Sequence, residues 1–316
     1  MKIFITRDIP DSAINFLRRK GFDVKVYKSK TAIPKERLEK EVSKIDALIS
    51  LITDKIDVKL IGRMQKCKVI ANYAVGYNNI NVEYAKKKNI IVTNTPDVLT
   101  DSTADFTMAL VLACARNIFQ GEKLIKENKF LSWHPKLLLG IELKNKIFGI
   151  MGAGRIGSAV AIRAKAFGTK IVYYSNNRND FLDNNLDAKK VSLKYLLKNS
   201  DFISINLPLN KKTHHLINKE KFTLMKSSAI IVNTARGEII NEKDLIDALR
   251  TKRILAAGLD VFENEPKVNK DLLKLENLII LPHIGSATIE ARNKMAMLAA
   301  KNVAAVLSGR EPLTPV

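Results

Sequence analysis

The stretch Ile147–Val160, "IFGIMGAGRIGSAV", decides how the rest of the chain is read. Ile147 to Met151 form a short apolar run of the length of a buried strand. Gly152, Gly154 and Gly157 follow at once, and from Ile156 onward an alternating apolar helix is expected. A Gly-x-Gly-x-x-Gly pattern alone often marks no more than a strand-to-helix turn. Here it sits where a dinucleotide loop requires it, after a strand and at the mouth of a helix. Gly152 permits the tight turn, Gly154 lets the main chain approach a pyrophosphate, and Gly157 lets the helix pack on the strand. The first helical turn, with Ala153, Arg155 and Ile156, offers free N–H groups and a partial positive charge to phosphate.

The next apolar run ends in "VYYSNNRND". A site that selects NAD carries Asp or Glu there, about 20 residues past the glycines, to hold the ribose 2′-hydroxyl. Ser175 holds that place, Asn176, Asn177 and Arg178 follow, and the first carboxylate in the sequence is Asp180. A carboxylate would repel a 2′-phosphate, whereas Ser and Asn can donate to it and Arg can pair with it. NADP(H) is therefore expected over NAD(H). The other reading is that Asn176 and Asn177 merely make a turn and NAD is accepted.

Outward from this loop, short apolar runs alternate with helical stretches. Strands are expected at 2–6, 24–27, 47–51, 69–72 and 90–93, with helices at 10–20, 34–43 and 58–64. A long apolar helix is expected at 103–117, capped by Asp101 or Ser102. Beyond it come strands at 147–151, 170–174, 202–206, 229–233, 256–259 and 278–281, and helices at 156–167 and 289–307. Alternation of this kind builds parallel sheets with helices on both faces. The expected architecture is α/β, with two doubly wound, Rossmann-like domains and a cleft between them. Residues 1–97 with 288–316 form a discontinuous substrate domain, and 98–287 the dinucleotide-binding domain.

A chain of 316 residues with 46% apolar content can build two cores. Its 53 basic and 32 acidic residues give a formal charge of +21. The basic residues are scattered, and the longest run is only Lys86-Lys87-Lys88, so a nucleic-acid partner is not expected. Cys67 and Cys114 make neither a metal spacing nor a disulfide framework, which fits a reducing cytoplasm and no metal. The first apolar run is too short for a signal peptide, and no run reaches the length of a membrane span.

Three later stretches bring polar residues to the ends of apolar runs. "IIVNTARGEIINEKDL" places Thr234, Ala235 and Arg236 past one strand, "AAGLDVFENEP" places Asp260 and Glu265 past the next, and "LIILPHIGSAT" places His283, Ile284 and Gly285 past a third. Open parallel sheets bind ligands at these strand ends. Taken singly, each has a plainer reading: a surface ion pair for Arg236, a solvated loop for Glu265, a structural histidine for His283.

Together, in this order and spacing, the three stretches resemble the D-isomer-specific 2-hydroxyacid dehydrogenase family over essentially the whole chain. Within it, "SLITDKID", "NYAVGYNNI", "NTPDVLTDSTADF" and "SWHPKLLLG" are most similar to the glyoxylate/hydroxypyruvate reductases. The resemblance implies NAD(P)H-dependent reduction of a small 2-oxoacid to the D-2-hydroxyacid. Arg236 matches the clamp on the substrate carboxylate and oxo group, His283 the general acid, and Glu265 its partner. Val75 and Gly76 match a loop whose N–H groups hold the carboxylate, and Leu51 and Trp133 are candidate pocket residues. Gly152 to Gly157 would hold the pyrophosphate, and Ser175 to Arg178 the adenosine ribose. Thr234, Ala235 and Arg236 would pass the nicotinamide ribose, Asp260 would hold the carboxamide, and His283, Ile284 and Gly285 would close over the ring.

Two departures stand out. Asn78 replaces an Asp frequent in the family, and Asn can make the same side-chain-to-backbone turn. Asn206 stands where relatives often carry His, which leaves His283 fewer competitors for the proton. Relatives are dimers, and 103–117 and 130–140 are the expected exposed apolar contacts. The alternatives are a 3-phosphoglycerate dehydrogenase, disfavoured by Ser175 and by a sequence ending at Val316 without the regulatory domain many of them carry, another D-2-hydroxyacid dehydrogenase, or an NAD(P)-sensing corepressor-like protein. A formate dehydrogenase would lack the acid at Glu265.

Overall fold

The computed structural model describes all residues from Met1 to Val316. Continuous apolar runs become strands covered on both faces, as parallel sheets require. The chain forms two units, Met1–Leu99 with Ala287–Val316, and Thr100–Ser286.

The first unit holds β1 (Lys2–Ile5), β2 (Asp23–Val26), β3 (Ala47–Ser50), β4 (Val69–Asn72) and β5 (Ile91–Thr93). All pair in parallel in the order β2-β1-β3-β4-β5, one of the two common doubly wound orders. Helices Asp11–Arg19, Lys35–Val42, Val58–Gly62 and Val82–Lys87 make the crossovers. The returning helix Ile289–Leu307 packs on β3, β4 and Asp11–Arg19.

The second unit holds β6 (Ile147–Met151), β7 (Lys170–Tyr174), β8 (Lys189–Lys190), β9 (Phe202–Ile205), β10 (Ile230–Asn233), β11 (Ala256–Leu259) and β12 (Leu278–Ile280). Its parallel order is β12-β11-β10-β9-β6-β7-β8. Counted from β6 as the first strand, this is the Rossmann order extended by one strand. The order reverses between β6 and β9, so a ligand crevice belongs at their carboxyl ends. One face of the sheet is filled by Phe148, Phe202, Leu110 and Val160, the other by Leu197, Ile203, Leu245 and Leu249.

Some expectations need correction. The long helix runs Thr100–Ala115, so Asp101 and Ser102 lie inside its first turn and do not cap it. Asp101 and Asp105 instead pair with Arg163, at 3.0 and 2.5 Å. That helix is also core, with Ala104, Met108, Leu110, Val111 and Cys114 buried, and not an exposed dimer contact. Trp133 is 78% exposed on a loop. Finally, helices Ile118–Lys126 and Glu242–Arg250 were not anticipated, nor were Val82–Lys87, Asp180–Leu186, Leu193–Asn199, Lys219–Phe222 and the strand β8. The first follows the preceding helix after a single break, Asn117 in the left-handed region (φ 51°). No helix is long and apolar enough to cross a membrane.

Candidate active site

The loop after β6 is built around its glycines. Gly152 has φ 97°, and a Cβ there would come within 2.7 Å of the Asn206 carbonyl oxygen. A Cβ on Gly157 would lie 2.0 Å from the Gly152 oxygen, so the helix Arg155–Ala166 can start only where it does. A Cβ on Gly154 would meet nothing within 4 Å. The loop is thus tight on the protein side and open on the other. That shape, with the N-terminus of Arg155–Ala166 beside it, fits the pyrophosphate of a dinucleotide.

At the end of β7, the Ser175 hydroxyl donates to the Asn177 carbonyl. Arg178 Nε lies 2.5 Å from Asp183 Oδ2, and the Tyr173 hydroxyl donates to Asp183 Oδ1 at 2.8 Å. The sequence reading missed this acid, because it arrives from the next helix through space. The pairing holds the Asp183 carboxyl below its ordinary range and raises the Arg178 guanidinium. Lys190 Nζ donates to the Asn176 carbonyl at 2.8 Å. Ser175, Arg178, Lys189, Lys190 and Ser192 face an open cavity of about 750 Å³, which Asp183 also lines.

Past β10, the buried Asn233 shapes the loop that carries Arg236. Its Oδ1 accepts from the Ala235 N–H at 3.0 Å, and its Nδ2 donates to the Arg236 carbonyl at 2.7 Å. Thr234 and Thr107 share a hydroxyl hydrogen bond of 2.9 Å. Arg236 Nη1 donates to the Ala235 carbonyl at 2.6 Å. Burial lowers the pKa of Arg236, while the carboxylates of Glu265 and Glu238 raise it. A guanidinium so placed keeps its charge.

Past β11 and β12, Asp260 and His283 form one construction. Asp260 is 1% exposed, and its two oxygens accept from the Ile284 and Gly285 N–H groups at 2.8 and 2.7 Å. Its carbonyl accepts from the His283 N–H at 2.8 Å. These bonds hold His283 at φ 56°, a region costly for a residue with a Cβ. Burial pushes the Asp260 carboxyl up, and the two N–H groups and the nearby His283 work against that. The His283 Nδ1 lies 2.8 Å from Glu265 Oε2, and Glu265 Oε1 accepts from the Phe262 N–H at 3.1 Å. The ends of β10, β11 and β12 therefore gather a guanidinium, a carboxylate and an imidazole. Such a set can grip an anionic carbonyl compound and move a proton. No group of side chains in the structure is arranged to hold a metal ion.

In the first unit, Val75 and Gly76 follow β4. Asn94 Nδ2 donates to the Val75 carbonyl and Asn72 Nδ2 to the Gly76 carbonyl, both at 2.8 Å. Leu51, past β3, has its N–H bound by Asp54 Oδ2 at 2.7 Å and its carbonyl by Asn79 at 3.1 Å, so only its side chain remains to contact a ligand. Asn81 caps the helix Val82–Lys87. Asn206 turns its amide nitrogen back onto Ser204, away from any role as a proton donor.

Comparison with known proteins shows the family and the fold. Residues 108–285 match the model of the D-isomer specific 2-hydroxyacid dehydrogenase NAD-binding domain. The chain is 47% identical to a glyoxylate reductase of Thermococcus litoralis over 98% of its own length and 95% of that protein's. A crystal structure of a Thermus thermophilus protein superposes with a TM-score of 0.94 at 42% identity, covering both chains completely. A Sinorhizobium meliloti NADPH-dependent glyoxylate/hydroxypyruvate reductase, solved with NADP and malonate, gives 0.87 at 29% identity, covering 100% and 96%. An Aquifex aeolicus D-lactate dehydrogenase, solved with NAD and lactic acid, gives 0.87 at 31%, covering 98% and 96%.

Proposed function

We infer that this chain, which belongs to the D-isomer specific 2-hydroxyacid dehydrogenase family, reduces glyoxylate or hydroxypyruvate to the D-2-hydroxyacid with NADPH. Membership makes it an oxidoreductase of CH–OH groups that uses a nicotinamide cofactor. The substrate, the phosphorylated cofactor and the roles of individual residues are the proposal. The observation that carries it is the 2.8 Å contact between His283 Nδ1 and Glu265 Oε2, with the Arg236 guanidinium within electrostatic reach of the same carboxylate.

Reduction of a 2-oxoacid needs a grip on its carboxylate, a hydride and a proton. A dinucleotide whose pyrophosphate is held by the Gly152–Gly157 loop would supply the hydride from its reduced nicotinamide. Arg236 presents a planar fork that pairs with a carboxylate and an adjacent oxo group, which a point charge cannot do. Val75 and Gly76 are proposed to donate their N–H groups to a substrate carboxylate, and the side chain of Leu51 to line the pocket. With Nδ1 held by Glu265, the imidazole turns Nε2 toward the substrate oxygen. His283 delivers its proton from Nε2 as negative charge develops there, and the carboxylate of Glu265 steadies the imidazolium beforehand. Asp260 fixes Ile284 and Gly285 and is proposed to meet the carboxamide.

The preference for NADPH rests on the cavity beyond β7. Arg178, Lys189 and Lys190 outnumber Asp183 there, and no carboxylate stands at Ser175. We also assign a homodimer built on the exposed apolar residues of 118–139, and a cytoplasmic location in keeping with the unpaired, buried Cys67 and Cys114.

The test is loss of the nicotinamide absorbance band with purified protein, glyoxylate or hydroxypyruvate, and NADPH or NADH in parallel. Fast loss with NADPH is expected. Fast loss with NADH alone would overturn the cofactor choice, and no loss with any 2-oxoacid would overturn the reductase reading in favour of a sensor.

A further inference from the structure

The structure holds a second imidazole–carboxylate pair. His215, in the connection after β9, has its Nε2 2.8 Å from Glu263 Oε1. Its backbone N–H donates to the Glu238 carbonyl at 2.8 Å, and its φ is 49°, again in the costly left-handed region. Glu263 and Glu242 exchange hydrogen bonds. The Glu242 N–H donates to Glu263 Oε1 at 3.2 Å, and the Glu263 N–H donates to Glu242 Oε2 at 3.1 Å. Asn241 caps the helix Glu242–Arg250 through its Oδ1, which leaves its Nδ2 3.4 Å from His215 Nδ1. An amide N–H facing Nδ1 selects the tautomer in which Nε2 carries the proton and donates to Glu263.

These bonds join three strand ends. His215 belongs to the connection after β9, Glu238, Asn241 and Glu242 to that after β10, and Glu263 to that after β11. The joined segments are those that carry Arg236 and Glu265. Gly237, next to Arg236, is pressed so closely on the Phe262–Glu263 backbone that a Cβ would lie 2.1 Å from the Phe262 carbonyl carbon. The Phe262 N–H, one residue from Glu263, is the donor that orients Glu265.

We propose that His215, with Glu263 and Glu242, is a positioning residue that seats the Arg236 and Glu265 loops against each other. The proposal rests on the reductase reading for its kinetic consequence and on hydrogen bonding alone for its structural one. His215 touches neither Glu265 nor His283 in the hydrogen-bond network, so it acts through the turn Phe262–Glu265. A shift of this turn by about an ångström costs on the order of a hundredfold where reacting groups must align.

The test compares His215→Ala, His215→Gln and Glu263→Gln with the wild type. The Gln side chain can replace the Nε2 donor but has no titrating ring. His215→Ala is expected to lower kcat with glyoxylate by about tenfold or more, with the NADPH Kd held within about twofold. His215→Gln should recover most of the loss. Amide exchange over residues 260–266 should quicken in His215→Ala and Glu263→Gln and return to the wild-type rate in His215→Gln. Wild-type kcat in His215→Ala, or a His215→Gln as slow as the Ala variant, would overturn the proposal. Unchanged exchange over 260–266 would overturn it even if the protein reduced no 2-oxoacid, whereas inactivity of the wild type alone contradicts only the reductase reading.

Discussion

Ser175 stands at the end of β7 where a carboxylate would bar a 2′-phosphate. Ser175→Asp would place a negative charge near a group carrying about two more, and each pair at about 4 Å costs about 1–4 kcal/mol between bulk and surface dielectrics. The kcat/KM ratio of NADPH to NADH should fall by at least about thirtyfold. An unchanged ratio would mean that the ribose is read elsewhere. Glu242 gives a second residue-scale prediction. Burial first, and Glu263 beside it, raise its carboxyl above the ordinary range. A raised folded-state value means the native protein holds this proton more tightly than the unfolded chain. Stability from this group is therefore full at low pH and is lost as pH rises through the raised value. Glu242→Gln should raise Tm at neutral pH, and the gain should vanish on acidification; a gain independent of pH would contradict the sign. The places of Arg236, Glu265 and His283 past strand ends were legible in sequence because each follows an apolar run by a few residues, while the roles expected of them came from the family resemblance. Asn233, Asn72, Asn94 and Asp183 were not, since a lone Asn or Asp shows its partner only once distant strands pair.

Among the elements, the continuous apolar runs marked nearly every strand, because a parallel sheet buried on both faces leaves no polar positions to blur the signal. Helix starts were harder to read. Asp101 and Ser102 looked like caps for a helix from Thr103, yet the helix begins at Thr100 and Asp101 pairs with Arg163. The helix Glu242–Arg250 does carry a sequence signal, Asn241 followed by acidic Glu242 and Asp244, but it is short and sits between two stretches that drew attention for their chemistry. The last helix was placed as it stands, with Thr288 before it. The Thr288 hydroxyl accepts from the Ala291 N–H at 3.1 Å. Thr288→Ala should cost about 1 kcal/mol, and Tm about 2–4 °C for units of this size. Thermal unfolding checks this, and no shift would show that the helix is held by packing on β3 and β4 alone.

For the whole molecule, the charge of +21 comes from dispersed residues and points to no particular partner. The apolar surface is more informative. The helix Ile118–Lys126 has no buried residue, and Ile118, Phe119 and Ile125 are exposed on it. Phe130, Leu131 and Trp133 follow, with Leu131 94% exposed. Apolar exposure of this kind is the basis of the dimer proposed above. Light scattering should give a dimer, and Leu131→Asp should give a monomer. A monomeric wild type at micromolar concentration would refute the assignment. Sequence reading offered the helix at 103–117 as a further contact, but it is buried in the core, because an apolar helix looks the same in sequence whether a core or a partner covers it.

The central claim is that His283, oriented by Glu265, gives the proton to the reduced carbonyl. The most direct measurement is kcat of His283→Ala at saturating glyoxylate and NADPH, beside the NADPH Kd from fluorescence titration. General acid catalysis of this kind contributes about a hundredfold to ten-thousandfold, so kcat should fall by that factor while the Kd changes little. A kcat near that of the wild type would contradict the assignment and return His283 to a structural residue at the end of β12.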